Sequence, residues 1–470
     1  MKRKQAINLL CKTYYLMANK TGNVMKKLFV EGILVVILLS LITILNFSSC
    51  QTTEPPVTQG KIILEALDAS STEAWINVKL QSVNLPAELK LFREDSVTQT
   101  ITLSGSDTLL YDEGLLPAKT YKYRAIIQSP NQSIIKSGVI TVTTMDTTSH
   151  DFTWQTYTFG GTGGSSYLKD VAIINENDIW AVGEIHTADT DQFDSNGVWV
   201  DPYNAVHWDG NSWELKRIMF YTFCNQANMS SYPAKAVFAF ADGKIAIAND
   251  ASQLTFVVDN IQENVQCLPV SVNAMWGTSS EDFYVVGNNG NIAHYNGSGW
   301  SKIESGTELP FQDIWGNGGQ ILALASSHNY LGRKLYSLHG NTATAISDSG
   351  LYYVFGGIWF IANRKYYVVG DGVFEKTSLK SALWYRYPLG VAASYYSNAI
   401  RGSEINDIVI AGSYGDISHF NGKSWFEYKK LINTENRLLS VSIKVDIVIA
   451  VGYKYTGGID DYGIIYLGRR

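Results

Sequence analysis

One phrase recurs along this chain at a regular interval, and no other feature restricts the possible folds as strongly. NDIWAVG ending at Gly183, EDFYVVG at Gly287, RKYYVVG at Gly370, NDIVIAG at Gly412 and VDIVIAVG at Gly452 share a polar entry, an apolar run and a closing Gly. Gly370, Gly412 and Gly452 stand about 40 residues apart, and Gly287 precedes Gly370 by about twice that. Weaker copies, KIAIAND near Ala248 and ILALASS near Ala325, fall in the gaps and bring the series to seven units. A unit of this length cannot bury its own apolar face, so it must stack on its neighbours.

Each complete unit offers four short strands. In the third they are 272–278, 282–288, 291–296 and 299–304, joined by brief turns. Four strands in about 40 residues is the pattern of a β-propeller blade, which predicts an all-β, seven-bladed propeller over 150–470. The array resembles the kelch and WD40-like repeat superfamily, but neither a kelch Gly-Gly doublet nor a regular Gly-His to Trp-Asp pair recurs. Three further echoes, HWDGNSW at 207–213, HYNGSGW at 294–300 and HFNGKSW at 419–425, read as the end of a third strand, a hairpin turn and the start of a fourth. Their Asp-Gly and Asn-Gly pairs supply the left-handed torsions of a tight hairpin. The last unit has only three strands, while FTWQTYTF at 152–159 looks like a fourth. That segment is expected to join the last blade and close the ring, removing an exposed edge.

Two segments precede the repeats. Met25-Lys26-Lys27, the apolar run 33–45 and Phe47-Ser48-Ser49-Cys50 resemble a bacterial lipoprotein signal, with Phe47 where Leu is usual. The resemblance implies a leader over 1–49 with Met25 as the true start, lipid on Cys50, and export to a bacterial outer membrane or cell surface. The apolar run is shorter than the roughly 20 residues of a membrane span. QTTEPPVTQG, 51–60, then reads as a tether. From 61 to 146, alternating runs at 61–67, 75–80, 89–92, 100–103, 121–127 and 138–143 predict a β-sandwich. Within it Leu115, Pro117 and Tyr121 resemble the entry to the sixth strand of a fibronectin type III domain, with Lys119 where Thr is usual and Trp75 near the expected second-strand tryptophan. The resemblance implies that the Tyr121 hydroxyl bonds back to the preceding turn and that the domain acts as a spacer.

Charge narrows the partners. The chain has 37 Lys+Arg against 43 Asp+Glu, and removing the leader's seven basic and one acidic residues moves the balance from −6 to −12. Nucleic acid, which needs clustered positive charge, is not an expected partner. With Cys11 in the leader and Cys50 lipidated, Cys224 and Cys267 remain as a candidate disulfide in an oxidising envelope.

The three repeated histidines, His207, His294 and His419, lie on separate blades and cannot converge on one ion. Packing, with the ring nitrogens bonded to backbone, is expected instead. NAMWG at 273–277, QDIWG at 312–316 and GGIWF at 356–360 place tryptophans on innermost strands, where inter-blade packing is the expectation over a ligand cage. Function is sought in the links, because those between second and third strands and those between blades emerge on one face. The long ones are 184–203, 220–232, 326–333, 387–397 and 453–462. They carry Trp199, Tyr203, Tyr232, Tyr330, Tyr395, Tyr396, Tyr455 and Tyr462, suited to stacking on sugars or anchoring a protein, though Tyr abounds elsewhere in the chain. In the first link Asp189, Asp191, Asp194 and Asn196 form an oxygen-rich loop. Calcium is one reading, but the spacing is not that of the standard calcium loop and a solvated acidic loop is preferred, with no cofactor.

No nucleophile elbow, P-loop or zinc-binding helix occurs. Arg364 and Arg401 are candidates for a sialidase-like arginine set, and SDSGLYY at 347–353 has only part of an aspartate box. The expected function is a lipid-anchored surface protein that recognises a glycan or a protein through its loop-rich face. The alternatives are a propeller glycoside hydrolase or an assembly scaffold.

Overall fold

The computed structural model describes residues 60–128, 134–327 and 332–470. The leader, Cys50 and the tether to 59 lie outside the described residues, as does Tyr330. Among the described residues there is no α-helix, only strands and a 3-10 turn at Lys429–Leu431.

Residues 61–143 form two antiparallel sheets. Lys61–Ala69, Glu73–Gln81 and Asp107–Glu113 make one; Ser96–Leu103, Ala87–Arg93, Thr120–Ile127 and the short Ile135–Lys136 and Ile140–Thr143 make the other. Alternate residues of both, among them Ile76, Val78, Leu89, Leu91, Tyr123 and Ala125, meet in one core. The backbone N–H of Leu116 donates to the Tyr121 hydroxyl at 2.8 Å, tying that ring to the turn before its strand. The strand Asp107–Glu113 escaped the sequence reading because an inward position carries Asp112, a carboxylate that breaks the apolar alternation. Asp112 is buried, and it accepts from Tyr123 at 2.7 Å and Arg93 at 3.1 Å. Trp75 lies on the second strand, Glu73–Gln81. Its neighbours Ala74 and Ile76 enter the core, so strand alternation turns Trp75 the other way, where Arg364 of the repeat region covers it.

Beyond Thr153 the strands group into successive antiparallel sheets in chain order, spanning 167–216, 234–267, 274–304, 311–346, 355–386, 397–427 and 436–469, here called sheets one to seven. The fourth strand of sheet seven is Thr153–Gly160, paired with Tyr462–Arg469 from Tyr462↔Gly160 to Arg469↔Thr153. The first strands of neighbouring sheets pack side by side, and that of sheet seven packs on that of sheet one, giving a propeller-type array around a central channel.

The recurring Gly has a steric cause. In six of the sheets the first strand bulges near its start, between Leu168 and Asp170 in sheet one and at the corresponding place in sheets two and four to seven. The bulge turns Lys169, Lys235, Gln312, Asn398 and their counterparts into the channel. A Cβ on Gly183, Gly287, Gly370, Gly412 or Gly452 would stand about 2 Å from a carbonyl oxygen of the opposing chain, so no other residue fits there, whereas the bulged sheets two and four carry Asn249 and Ala325 at the corresponding place. The tryptophans pack between sheets, as a similar contact shows: a Cβ on Gly316 would meet Trp276 at 2.4 Å, and one on Gly402 would meet Trp359 at 2.5 Å.

The repeated histidines are not bonded to backbone. His207, His294 and His419 each approach the Asp that opens the second strand of the same sheet: Asp178 at 3.0 Å, Asp282 at 2.7 Å and Asp407 at 2.8 Å. The two recurring phrases therefore meet across adjacent strands. A carboxylate satisfies an imidazole N–H more strongly than a carbonyl does, because the acceptor is charged. In sheet five the same positions hold Lys365 and Glu375, an ion pair with the charges exchanged.

Candidate functional site

The propeller has two unlike faces. One carries the turns between first and second and between third and fourth strands, and the sandwich packs on it. Lys365 Nζ, buried, lies 2.6 Å from Glu73 of the sandwich as well as against Glu375. Burial works against the charge, but the two carboxylates outweigh it and hold the ammonium above the ordinary lysine value. Arg364 pairs with Asp68 at 2.9 Å, Asn406 donates to the Asp146 carbonyl at 2.8 Å, and Thr148 N–H reaches the Asn421 carbonyl at 3.2 Å. Nearby, His419 stands between Asp407 and His150, and Arg470 forks onto Asp407 at 2.8 and 2.9 Å. Arg364 thus serves docking, whereas Arg401 pairs bidentately with Asp313 beside the channel, both contacts at 2.8 Å. The two arginines have separate partners and form no shared set.

The other face carries the long links. Trp199 sits on a two-stranded ribbon, Gln192–Phe193 with Trp199–Val200, its ring edge-on to Phe193 and both exposed. Tyr203 is capped by Arg217 at 3.7 Å and donates to Asp189 at 3.0 Å. Tyr232 bonds Thr222, and Tyr455 is exposed. Cys224 and Cys267 form a disulfide that fastens the link before sheet two to the edge of that sheet. The three aspartates have separate duties. Asp189 accepts from Thr187 and Tyr203, Asp191 meets His186 at 2.7 Å, and Asp194 accepts the backbone N–H groups of Asn196 and Val198. Among the described residues no group of three or more His, Cys, Asp or Glu gathers as a metal site.

Of the residues singled out from sequence, Tyr395 and Tyr396 share a cavity. It holds about 740 Å³ and is lined by Gly332, Arg333, Tyr353, Asp371, Gly372, Arg386, Leu389, Ser394, Tyr395 and Tyr396. Its cause is a difference in link length. The second and third strands of sheet five, Lys365–Gly370 and Gly372–Lys376, are separated by Asp371 alone. Around this low point the lining comes from the second-to-third link of sheet four, the link before sheet five and the long link after it, leaving a notch with a glycine floor. Arg386 lies across that floor: its Nη2 donates to the Asp371 carbonyl at 2.9 Å, and a Cβ on Gly372 would stand 2.7 Å from its Nε.

The wall that carries the tyrosines is pinned from below. Buried Asp416 accepts the N–H groups of Ser394 at 3.1 Å and Tyr395 at 3.2 Å. Burial, and then the Glu427 charge beside it, push the Asp416 carboxyl up to about 6. Tyr395 also packs edge-on against Tyr414. Sequence reading missed Arg333, Tyr353, Asp371, Arg386, Leu389 and Ser394. The available signal was the pattern VGDGV at 369–373, the shortest second-to-third link, between two long neighbours.

The notch has a single carboxylate, Asp371, among its described lining residues. Glycoside hydrolysis by the usual route needs two carboxyl groups flanking the scissile bond. Tyrosine faces, two guanidinium groups and one acceptor carboxylate equip it to hold a polar ligand, with stacking on one side and charged hydrogen bonds on the other.

No family model and no curated protein matches the chain. Among solved structures, "YCF48 bound to D1 peptide" aligns over 69% of this chain and 100% of its own, at 12% identity and a TM-score of 0.48. "BBS1N in complex with ARL6DN" aligns over 67% and 96%, at 14% identity and a TM-score of 0.43. The Neurospora crassa Pan2 WD40 domain aligns over 68% and 97%, at 8% identity and a TM-score of 0.42. Similarity this remote bears on neither ligand nor activity, and the chain stands, on its own strand order, as an all-β protein with a propeller-type repeat array.

Proposed function

We propose that this is an exported, lipid-anchored binding protein of a bacterial outer membrane or cell surface. In this reading Cys50 holds lipid, residues 61–146 are a fibronectin III-like sandwich, and 150–470 form a seven-bladed propeller that presents its loop-rich face to a glycan or protein. The notch over sheet five carries the proposal: it is an aromatic and cationic cavity of about 740 Å³, within the usual range of small-ligand sites, roughly 300–1,000 Å³. Asp371 is the one carboxylate among its described lining residues, which disfavours the glycoside-hydrolase alternative. The Cys224–Cys267 disulfide supports export, since such bonds persist in oxidising compartments.

Binding is tested with the full chain in detergent micelles, screened on a glycan array and against envelope proteins by crosslinking. The double variant Tyr395→Ala/Tyr396→Ala is expected to lose its ligands. Ligands retained in full by that variant and by Trp199→Ala would remove the loop-rich face as the binding surface. Export and anchoring are tested separately by labelled-palmitate incorporation, which Cys50→Ser is expected to abolish.

A further inference from the structure

We infer that the notch over sheet five takes an oligosaccharide bearing a carboxylate, with Arg386 as the group that reads the acid. This deepens the binding-face reading above and rests on it.

The charges around the notch single out Arg386. Of the two guanidinium groups that line it, Arg333 has Asp348 at 3.3 Å. Arg386 has no carboxylate within ion-pair distance among the described residues; its Nη2 holds the Asp371 carbonyl instead. An exposed guanidinium gains little by being fixed unless its remaining donors are meant for something else. Here it is held on three sides: by that carbonyl, by the bare Gly372 backbone beneath its Nε, and by the Phe374 ring 5.8 Å away. Such fixing leaves a planar fork of donors that suits a carboxylate. In a chain of net charge −6, an unneutralised cation in a cavity selects for an anion locally.

The second clue is that the same residue whose carbonyl orients Arg386 also contributes to the lining of the notch. Asp371 brings an acidic side chain to a cavity that would bind an anion, so the ligand has to offer hydrogen-bond donors close to its own negative charge. A sugar acid carries hydroxyl groups on the same sugar as its carboxylate, within a few bonds of it. Glutamate and aspartate side chains have only methylene groups there, which disfavours an acidic peptide. Exposed Tyr395 provides a flat apolar face for the C–H side of a sugar ring, and exposed Leu389 adds apolar surface to the lining.

The test is calorimetric titration of the full chain in detergent with four probes: a galacturonic acid trimer, a sialic-acid-terminated trisaccharide, the galacturonate trimer as its methyl ester, and triglutamate. At least one acidic sugar is expected to bind. For the galacturonate trimer, methyl esterification is expected to weaken binding about 10-fold or more, the scale of a lost charged hydrogen bond. Arg386→Gln should produce a similar loss for the acid and little change for the ester, with the unfolding temperature unchanged. Equal binding of acid and ester, or of wild type and Arg386→Gln, overturns the assignment. Neutral saccharides that bind and are lost only on Tyr395→Ala would leave the binding face standing and remove this proposal alone. Triglutamate binding as tightly as the sugars would move the ligand to acidic peptides, and binding of no saccharide would overturn it outright.

Discussion

The two faces of the propeller are built from the same repeat and have been put to opposite uses. On the sandwich-covered face, positions that pair Asp with His in sheets one and three take on further partners in sheets five and six. Sheet five exchanges them for Lys365 and Glu375 and takes Glu73 from the sandwich, while sheet six keeps Asp407 and His419 and adds His150 and Arg470. Lys365, Asp407 and His419 there are buried and partnered. On the loop-rich face aromatic rings stand exposed, and Arg386 is held without a carboxylate partner among the described residues. A face whose polar groups satisfy one another is finished structure; a face that leaves a fixed donor and bare rings open is equipped to receive something. The docked sandwich also differs from a free spacer, because its contacts fix its orientation on sheets five and six.

The comparison breaks first, and most severely, at Lys365. Lys365→Met leaves Glu73 and Glu375 buried with no cation, and removal of one partner of a buried pair costs about 3–5 kcal/mol. Chemical denaturation should show that loss, and hydrogen exchange should rise at Glu73–Gln81 before it does in the sheets far from the sandwich. An unchanged midpoint would mean that docking does not depend on this network.

A smaller cost is expected where sheets pack against each other beneath both faces. Gly402→Ala would drive a Cβ to 2.5 Å from the Trp359 ring, which is fully buried and has little room to move. Overpacking of this kind costs about 1–3 kcal/mol, read as a lower unfolding midpoint with the sandwich still docked.

Asp416, under the notch, should change stability in the other direction. Its carboxyl is raised to about 6 from the ordinary 3.8, so the folded state holds a proton that the unfolded chain releases. The stabilisation from that proton is fully present below pH 3.8 and is lost as pH rises through about 6. Asp416→Asn keeps an oxygen for the Ser394 and Tyr395 N–H groups and removes the charge. It should gain roughly 1–2 kcal/mol at neutral pH and nothing near pH 4. Equal effects at both pH values, or destabilisation at neutral pH, would show that the Asp416 charge is not held against its environment.

Tyr395→Ala sharpens the comparison from the exposed side. It should shift stability by less than about 0.5 kcal/mol, as surface substitutions do, while abolishing ligand retention. A large loss of stability would show that the ring is structural and that the loop-rich face is less free than its exposure indicates.

Local periodicity made much of this architecture readable. The run from polar entry to closing Gly repeats because every sheet needs a buried second strand and, in five of the seven, a carbonyl of the opposing chain stands where a Cβ would go. FTWQTYTF was legible as the partner of the last sheet because an unfilled edge is costly. What stayed hidden depends on groups brought together from distant positions. His207 and Asp178 lie 29 residues apart, and each recurrence looked self-contained until the strands paired. Lys365 and Glu375 carry charges opposite in sense to the repeat and resembled noise. Trp75 was legible as a second-strand tryptophan, but its contact with Arg364 was not.

The same division separates fold from site. The amino-acid sequence alone determined the repeat, the turns and the buried faces, since backbone hydrogen bonding and apolar burial act between residues close in the chain. Only the tertiary structure decided which face was left open and where. The notch exists because a link of one residue, Asp371, sits between two long links, and its chemistry arises from Arg333, Tyr353, Arg386 and Tyr395, on different segments. Link height and the meeting of side chains are properties of the assembled sheets, so no window along the sequence contains them.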